Sequence, residues 1–443
     1  EVVMEKKKVS IVKYKENDNS VSKAVELSGA FNGLSGNEKV LIKPNIVMWT
    51  KSGVFPKWGV ITTSTVIEEI VKTLMDYGIK HITIGEGIMG PTSGQSEVPG
   101  LAYENLGYNK LKERYGVRLI DFFDSPYEEV HIDNGIKLKV NRDTLNSDFI
   151  VNVPVLKTHA QAKVSLGIKN IKGTLDISSR KKCHSPDHDK DLNYMISQLH
   201  GILPPWCTII DGIYSLERGP APNGRARRTN LIIASSDFLS ADLVGARLLG
   251  YNPSDVKSLV YTAENMGRPL DLSDVEIAGE KIEDVQSFHE YSIPYNEDET
   301  MPLSLEKRGL KGISYRKHDP TLCTYCTFIY GSIMAAILFA WKGEPWDNVE
   351  VLSGKIMKSR GGFNKTILLG KCMCDLNMDC DRINEVIPVK GCPPKPEDAV
   401  KALHKAGIEI APEILTNIEG GMGFLMMKYK DKPEFDESFY GII

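Results

Sequence analysis

The chain carries eight cysteines, Cys183, Cys207, Cys323, Cys326, Cys372, Cys374, Cys380 and Cys392, and six of them fall in the C-terminal third. Cys323 and Cys326 form C-T-Y-C directly ahead of a long apolar run. Cys372 follows the strand-like KTILLGK, and Cys392 follows VIPVKG and precedes two prolines. In a small secreted domain such a set would pair as disulfides. Here it sits in 443 residues whose first stretch, EVVMEKKKVSIVKY, lacks the apolar core of an export signal. Metal or redox ligation is the expectation in that setting.

The carboxyl ends of parallel strands lie on one edge of a sheet, where open α/β folds bind their ligands. A helix N-terminus facing that edge favours thiolates. Cys323, Cys326, Cys372 and Cys392 are therefore expected to converge. One C-x-x-C plus two lone cysteines at turns suits a four-iron, four-sulfur (4Fe-4S) cluster ahead of tetrahedral zinc or unliganded thiols. Cys374 and Cys380 stay open as replacements for Cys372, which is preferred because it follows the strand directly. Cys207, in PPWCTII, reads as a core residue.

Strand and helix signals alternate through the first two-thirds: KVLIKPN, the helix TSTVIEEIVKTLMDYG, HITIGEG, DFIVNVPVLKTH, CTIIDGIYSLERG and the helix FLSADLVGARLLG. This alternation predicts an α/β fold with a parallel, doubly wound sheet. Residues 1–261 are expected as the substrate domain, 262–319 as a linker or elaboration, and 320–443 as a smaller α/β iron–sulfur domain. The run GSIMAAILFAWKG is too short to span a bilayer and reads as a buried helix.

Polar residues gather at the predicted strand ends of the first domain. PVLKTHAQAKVSLGIKNIKG supplies Lys157, Thr158, His159, Lys169 and Asn170; VLIKPN adds Lys43 and Asn45; IGEG adds Glu86; IIDGIYSLERGP adds Asp211, Glu217 and Arg218. Lys157, His159 and Glu86 are the candidate catalytic residues: Lys and His offer donors, His can move a proton near neutral pH, and one edge holding acidic and basic residues is what acid–base chemistry requires. Lys43, Asn45, Thr158, Lys169, Asn170, Asp211 and Arg218 are the candidate binding groups for a small carboxylate or phosphate. KKCHSPDHDKD, with His184 and His188 four apart, reads as a mobile surface loop rather than a metal site. PNGRARR reads as a solvated basic face that could also hold an anion. GEGIMG follows a strand, but a loop-like PTSGQSEVPG stands where a dinucleotide fingerprint requires a helix.

A formal net charge of −4 gives no global field toward nucleic acid or an anionic membrane, and no partner of either kind is expected. A cytoplasmic location and a homo-oligomer are expected.

Two resemblances add to this reading. GKC…VIPVKGCPPKPED is similar to the G-C-P-P turn of the cluster-carrying small subunits of NADH:quinone oxidoreductase. That likeness implies that Cys392 ligates a 4Fe-4S cluster. Over about residues 38–255, VLIKPN, DFIVNVPVLKTHAQAKVSLGIKNIKGTLD, IIDGIYSLERGPAPNG and SSDFLSADLVGARLLGYNP resemble domain-of-unknown-function family 362. That family is often fused to ferredoxin-like cluster domains. The reading that follows is an iron–sulfur oxidoreductase, served by a ferredoxin-like electron donor, with a small anionic substrate held between the two domains. Two alternatives remain: a hydro-lyase with one open iron acting as a Lewis acid, and a non-enzymatic electron carrier.

Overall fold

The structure, a computed structural model, describes residues 6–90 and 97–443; of the loop expected over PTSGQSEVPG, residues 91–96 lie outside the described residues, and Val98–Gly100 instead open the helix Val98–Asn105. The chain divides into two compact units. The first holds the residues up to Arg180, Asn193–Ser292 and Leu425–Ile443, and the second holds Lys181–Leu192 and Ile293–Phe424.

The first unit contains β1 (Lys7–Lys13), β2 (Lys39–Lys43), β3 (His81–Glu86), β4 (Arg118–Asp121), β5 (Tyr127–Ile132), β6 (Ile136–Asn141), β7 (Phe149–Asn152), β8 (Val155–His159), β9 (Lys163–Ser165), β10 (Trp206–Glu217), β11 (Arg225–Ser235) and β12 (Val275–Gly279). Its main sheet runs β12-β1-β11-β10-β7-β2-β3-β4, with β8 pairing both β10 and β9, while β5 and β6 form a separate hairpin. The β10-β7-β2-β3-β4 block is parallel, as the alternating pattern predicts. The sheet as a whole is mixed, because β11 runs antiparallel to both β10 and β1. Strand β2 is apolar at Val40, Leu41 and Ile42, all buried. A strand buried on both faces reads as a continuous apolar run.

The helix Ser64–Asp76 shows how sequence sets an element here. Thr63 caps its first turn by accepting from the Val66 N–H, and Val66, Ile67, Ile70, Val71 and Leu74 make its buried stripe. Asp211 of β10 then fixes the cap, accepting from both the N–H and the hydroxyl of Thr63 at 2.7 and 2.8 Å.

The second unit is built on β13 (Ile313–Tyr315), β14 (Val349–Ser353), β15 (Lys365–Leu369) and β16 (Glu385–Val389), all parallel and adjacent in chain order. The period of two is visible in its packing. Val351, Ile367, Leu369 and Val389 enter the larger core with Ile333, Ile337 and Leu403, whereas Leu352 and Leu368 pack on the other face with Met373 and Cys374. The helix Pro396–Lys405 begins on proline, carries Glu397 and Asp398 in its first turn and ends on His404 and Lys405, each in the position its dipole favours.

Residues 262–319, expected as a linker or elaboration, contribute Val275–Gly279 to the first sheet beside β1 and Ile313–Tyr315 to the second beside β14. Three expectations change. The C-terminal residues Leu425–Ile443 belong to the first unit. The KKCHSPDHDKD segment belongs to the second unit, where Cys183 and His184 are buried rather than part of a surface loop; the His188 side chain lies outside the described set. The helix Thr324–Ala340 buries one stripe, Ile329, Tyr330, Ile333, Ala336 and Ile337, and leaves Phe339 56% exposed. No helix among the described residues is long and apolar enough to cross a membrane.

Candidate functional site

Five of the sequence-predicted residues meet beside the carboxyl ends of β2 and β3, with Lys157 reaching in from the middle of β8 and Asn170 from the short helix Gly167–Asn170. Lys43 ends β2 and Glu86 ends β3, and their side chains pair at 2.8 Å with almost no exposure. The Lys43 ammonium also donates to the Pro44 carbonyl at 3.0 Å and to Asn170 Oδ1 at 3.4 Å. Asn170 Oδ1 takes a second, shorter bond from Asn45 Nδ2 at 2.8 Å. Asn45 Oδ1 in turn accepts from Lys157 Nζ at 2.5 Å, and Lys157 donates again to the Val60 carbonyl at 2.7 Å. The result is one chain, Glu86–Lys43–Asn170–Asn45–Lys157, in which amide groups link two lysines to a single carboxylate.

Burial sets the electrostatics. Desolvation pushes both lysines below their ordinary pKa. For Lys43 the Glu86 charge opposes that shift and Arg180 adds to it. Lys157 is lowered to about 7, by burial first, with Glu86 raising it and Lys43 lowering it. A buried amine that titrates near neutrality can give and take a proton, which an exposed lysine cannot do at pH 7. Asn45 and Lys169 are half-buried, so the network is reached from that side.

The other candidates sit elsewhere. Side chains alternate along β8, and Thr158 donates to the Leu216 and Glu290 carbonyls. His159 Nδ1 accepts from the Gln161 and Ala162 N–H groups, which leaves the proton on Nε2 in the neutral ring. Asp211 holds the Thr63 cap and the Ile213 N–H. Arg218 pairs with Glu290 at 2.5 Å. GEGIMG is no dinucleotide fingerprint: Gly85 lies inside β3, and no helix starts between Gly87 and Gly90.

Sequence reasoning passed over the residues that brace the network. Asn152, the last residue of β7, accepts from Asn170 at 2.8 Å and donates to the Gly167 carbonyl at 2.9 Å. Asp242 accepts from the Gly167 and Ile168 N–H groups at 2.7 and 2.8 Å, anchoring the turn that carries Lys169 and Asn170. Burial raises its pKa to about 7 against those two bonds. Gly173 backs the ion pair so closely that a Cβ there would lie 2.7 Å from Lys43 Nζ. Asn152 and Asp242 stand in quoted motifs, and the signal available was a polar residue inside an apolar run.

The second candidate site is the cysteine pocket of the second unit. Cys323 caps the helix Thr324–Ala340, and Cys326 lies in its first turn. Gly370, at the end of β15, approaches Cys326: a Cβ on it would lie 3.5 Å from the Cys326 sulfur and 3.8 Å from the Gly391 carbonyl. The Gly370 N–H donates to Val389 and the Lys371 N–H to Gly391, which ties the turn bearing Cys372 to the turn bearing Cys392. Cys326 is raised, first by its bond to Cys323 and by burial, with Cys392 and Cys372 adding to the shift as neighbouring charges. Cys323 is the low one, because the Cys326 thiol and the N–H groups of Cys326 and Tyr325 stabilise its thiolate. Burial raises Cys372, Lys355 opposes, and Cys392 and Cys323 add to the rise. Cys323, Cys326, Cys372 and Cys392 thus form one interacting group. As the side chains stand, no group of three or more His, Cys, Asp or Glu among the described residues is arranged to hold a metal ion.

Cys374 faces away, buried with Leu368 and Met373 and weakly bonded to the Leu368 carbonyl at 3.7 Å. Two lysines unnoticed in the sequence stand at the pocket. Lys181 Nζ is 3.4 Å from the Cys392 sulfur. Lys355 is held by a turn whose three N–H groups, of Lys355, Ile356 and Met357, converge on one oxygen of Asp319 at 3.0 Å. Gly354 has φ 114° there, and a Cβ on it would collide with the same carboxylate.

Residues 40–247 match the family model described as a domain of unknown function, DUF362, inside the span expected from the sequence; the cysteine unit lies beyond the match. A thylakoid-associated protein of Synechocystis, sll1697, is 26% identical over 236 residues, 53% of this chain and 70% of that protein. Among solved structures, a Thermotoga maritima protein aligns at 14% identity and TM-score 0.29, over 52% of this chain and 58% of its own. The lactate racemase apoprotein of Thermoanaerobacterium thermosaccharolyticum aligns at 15% and 0.31, over 54% and 57%. The chain spans less than two thirds of either structure, and at these scores neither constrains fold or chemistry.

Proposed function

Residues 40–247 are a DUF362 domain, and from that premise we propose an iron–sulfur oxidoreductase in which the cysteine unit holds a 4Fe-4S cluster and the DUF362 domain binds a small anionic substrate. The observation that carries this reading is the meeting of Cys326 with the Cys372 and Cys392 turns, three distant chain segments brought to one place. The donor set fits the group: thiolates are its natural ligands, and the helix N-terminus and the nearby Lys181 and Lys355 offset its negative charge. Cys323, Cys326, Cys372 and Cys392 would be its ligands. When bound, such a cluster supplies one-electron transfer, with a ferredoxin-like protein as the donor.

In the DUF362 domain, Asn45 and Lys169 meet the incoming anion, because they are the half-buried members of that edge. Lys157 stands behind Asn45 and supplies or accepts the proton that accompanies reduction. The Lys43–Glu86 pair holds Asn170, and through it Asn45, in one orientation.

The test is anaerobic reconstitution with iron and sulfide, followed by low-temperature paramagnetic resonance and reoxidation by a panel of small carboxylates and phosphate esters. The reading expects a cluster signal and reoxidation by one such class. It expects Lys157→Ala to stop reoxidation with the spectrum intact. A chain that takes up no cluster, or a Lys157→Ala variant reoxidised at the original rate, would refute it.

A further inference from the structure

The PNGRARR run plays no part in the chemistry above, and its surroundings are unusual for an acidic chain. Arg225, Arg227 and Arg228 of β11, together with Arg218, line a cleft of about 640 Å³ in the first unit; the C-terminal residues Lys428 and Lys432 complete it. Glu434 is the carboxylate in its wall, and the rings of Tyr429 and Phe435 form its apolar side. Two further carboxylates reach these cations. Glu217, fully buried, takes both Arg225 and Arg227, and Glu290 takes Arg218.

The remaining cations rest on neutral partners. Arg228 lies over Tyr214 and Phe439, 4.6 and 4.3 Å from their centroids, and bonds the Tyr214 hydroxyl at 2.6 Å. Lys428 donates to the Asn223 carbonyl at 3.1 Å. Lys432 sits 6.0 Å from the Tyr429 and Phe435 centroids. Six cations against Glu217, Glu290, Glu434 and Asp436, the last close enough to feel the Arg228 charge, leave two positive charges in excess around one concavity, on a chain whose total charge is −4. Partial desolvation in the cleft, then the Arg218 charge, hold Lys428 below its ordinary pKa.

We propose that this cleft is a binding site for a diphosphate-bearing small molecule. Two surplus charges match a diphosphate better than a monocarboxylate, and guanidinium forks suit phosphate oxygens. The volume is that of a small-molecule site and not of a nucleic-acid track. The aromatic side offers an apolar surface for whatever the diphosphate carries.

The test is calorimetric titration of the full chain with inorganic pyrophosphate, ADP and inorganic phosphate, repeated on the Lys428→Glu, Lys432→Glu double variant. Both lysines are exposed, so the melting temperature should stay within a few degrees of the parent. Pyrophosphate and ADP should bind one per chain, at least ~10-fold more tightly than phosphate, and the double variant should weaken both by ~10-fold or more. Unchanged affinity in the folded double variant overturns the proposal. So does the absence of pyrophosphate binding at millimolar concentration, or uptake of single-stranded RNA that pyrophosphate cannot displace.

Discussion

The lysine network and the cysteine pocket solve opposite problems. In the network every link is a hydrogen bond between groups of the chain itself: Glu86 neutralises Lys43, Asn170 and Asn45 relay, and Lys157 closes on the Val60 carbonyl. In the pocket the Cys326 thiol stabilises the Cys323 thiolate, and its own ionisation is disfavoured first by that bond and by burial, then by charge on the neighbouring cysteines. A closed polar network is a stable platform for chemistry on a guest. A set of thiols that cannot all ionise together is one that a bound cation or cluster would stabilise. The first site is pre-organised by its own contacts, and under the proposed function the second would become so when a cluster binds.

That contrast can be broken first at Glu86. Removing one partner of a buried ion pair strands the other charge, so Glu86→Ala should cost about 3–5 kcal/mol in denaturant unfolding. The Lys43→Met, Glu86→Leu double variant should recover most of it. A loss below about 1 kcal/mol would mean that water reaches the pair and the network is not closed. Next is Gly173→Ala, whose Cβ must displace the Lys43 ammonium; about 1–3 kcal/mol is expected, read the same way. The mildest change is in pH. The folded pKa of Lys157 lies near 7, below the 10.5 of the unfolded chain. Between those values only the unfolded chain binds the proton, so the Lys157 contribution to stability is lost as pH falls from about 10.5 to about 7. Carbon-13 shifts of lysine Cε should show one resonance with a midpoint near 7 that disappears in Lys157→Met. A midpoint above 9 would contradict the burial argument.

How much of this the sequence reveals follows from range. The parallel block β10-β7-β2-β3-β4 shows in apolar runs ending on polar residues, because burial on both faces writes itself locally. Lys43, Asn45 and Glu86 stand at those ends, as the rule for strand ends says, and Lys157 of β8 and Asn170 of the short helix Gly167–Asn170 join them there. Thr158 is separated from its neighbour Lys157 by the alternation of a strand, which a motif quoted as a string hides. Arg218 and Asp211 find partners 72 and 148 residues away, and no spacing announces them. The same holds for β12, which pairs with β1 268 residues away. Cys374 illustrates the finer limit. It lies two residues from Cys372, and only the direction of one short helix sends its sulfur into the apolar layer beside Leu368.

The central claim is that Cys323, Cys326, Cys372 and Cys392 hold a cluster and that Cys374 does not. Iron and sulfide content of anaerobically reconstituted Cys372→Ala and Cys374→Ala chains tests it most directly. The account predicts about four irons per chain in the parent and in Cys374→Ala, with most of them gone in Cys372→Ala. Loss of iron from Cys374→Ala with retention in Cys372→Ala, or a parent chain that reconstitutes without iron, would contradict it.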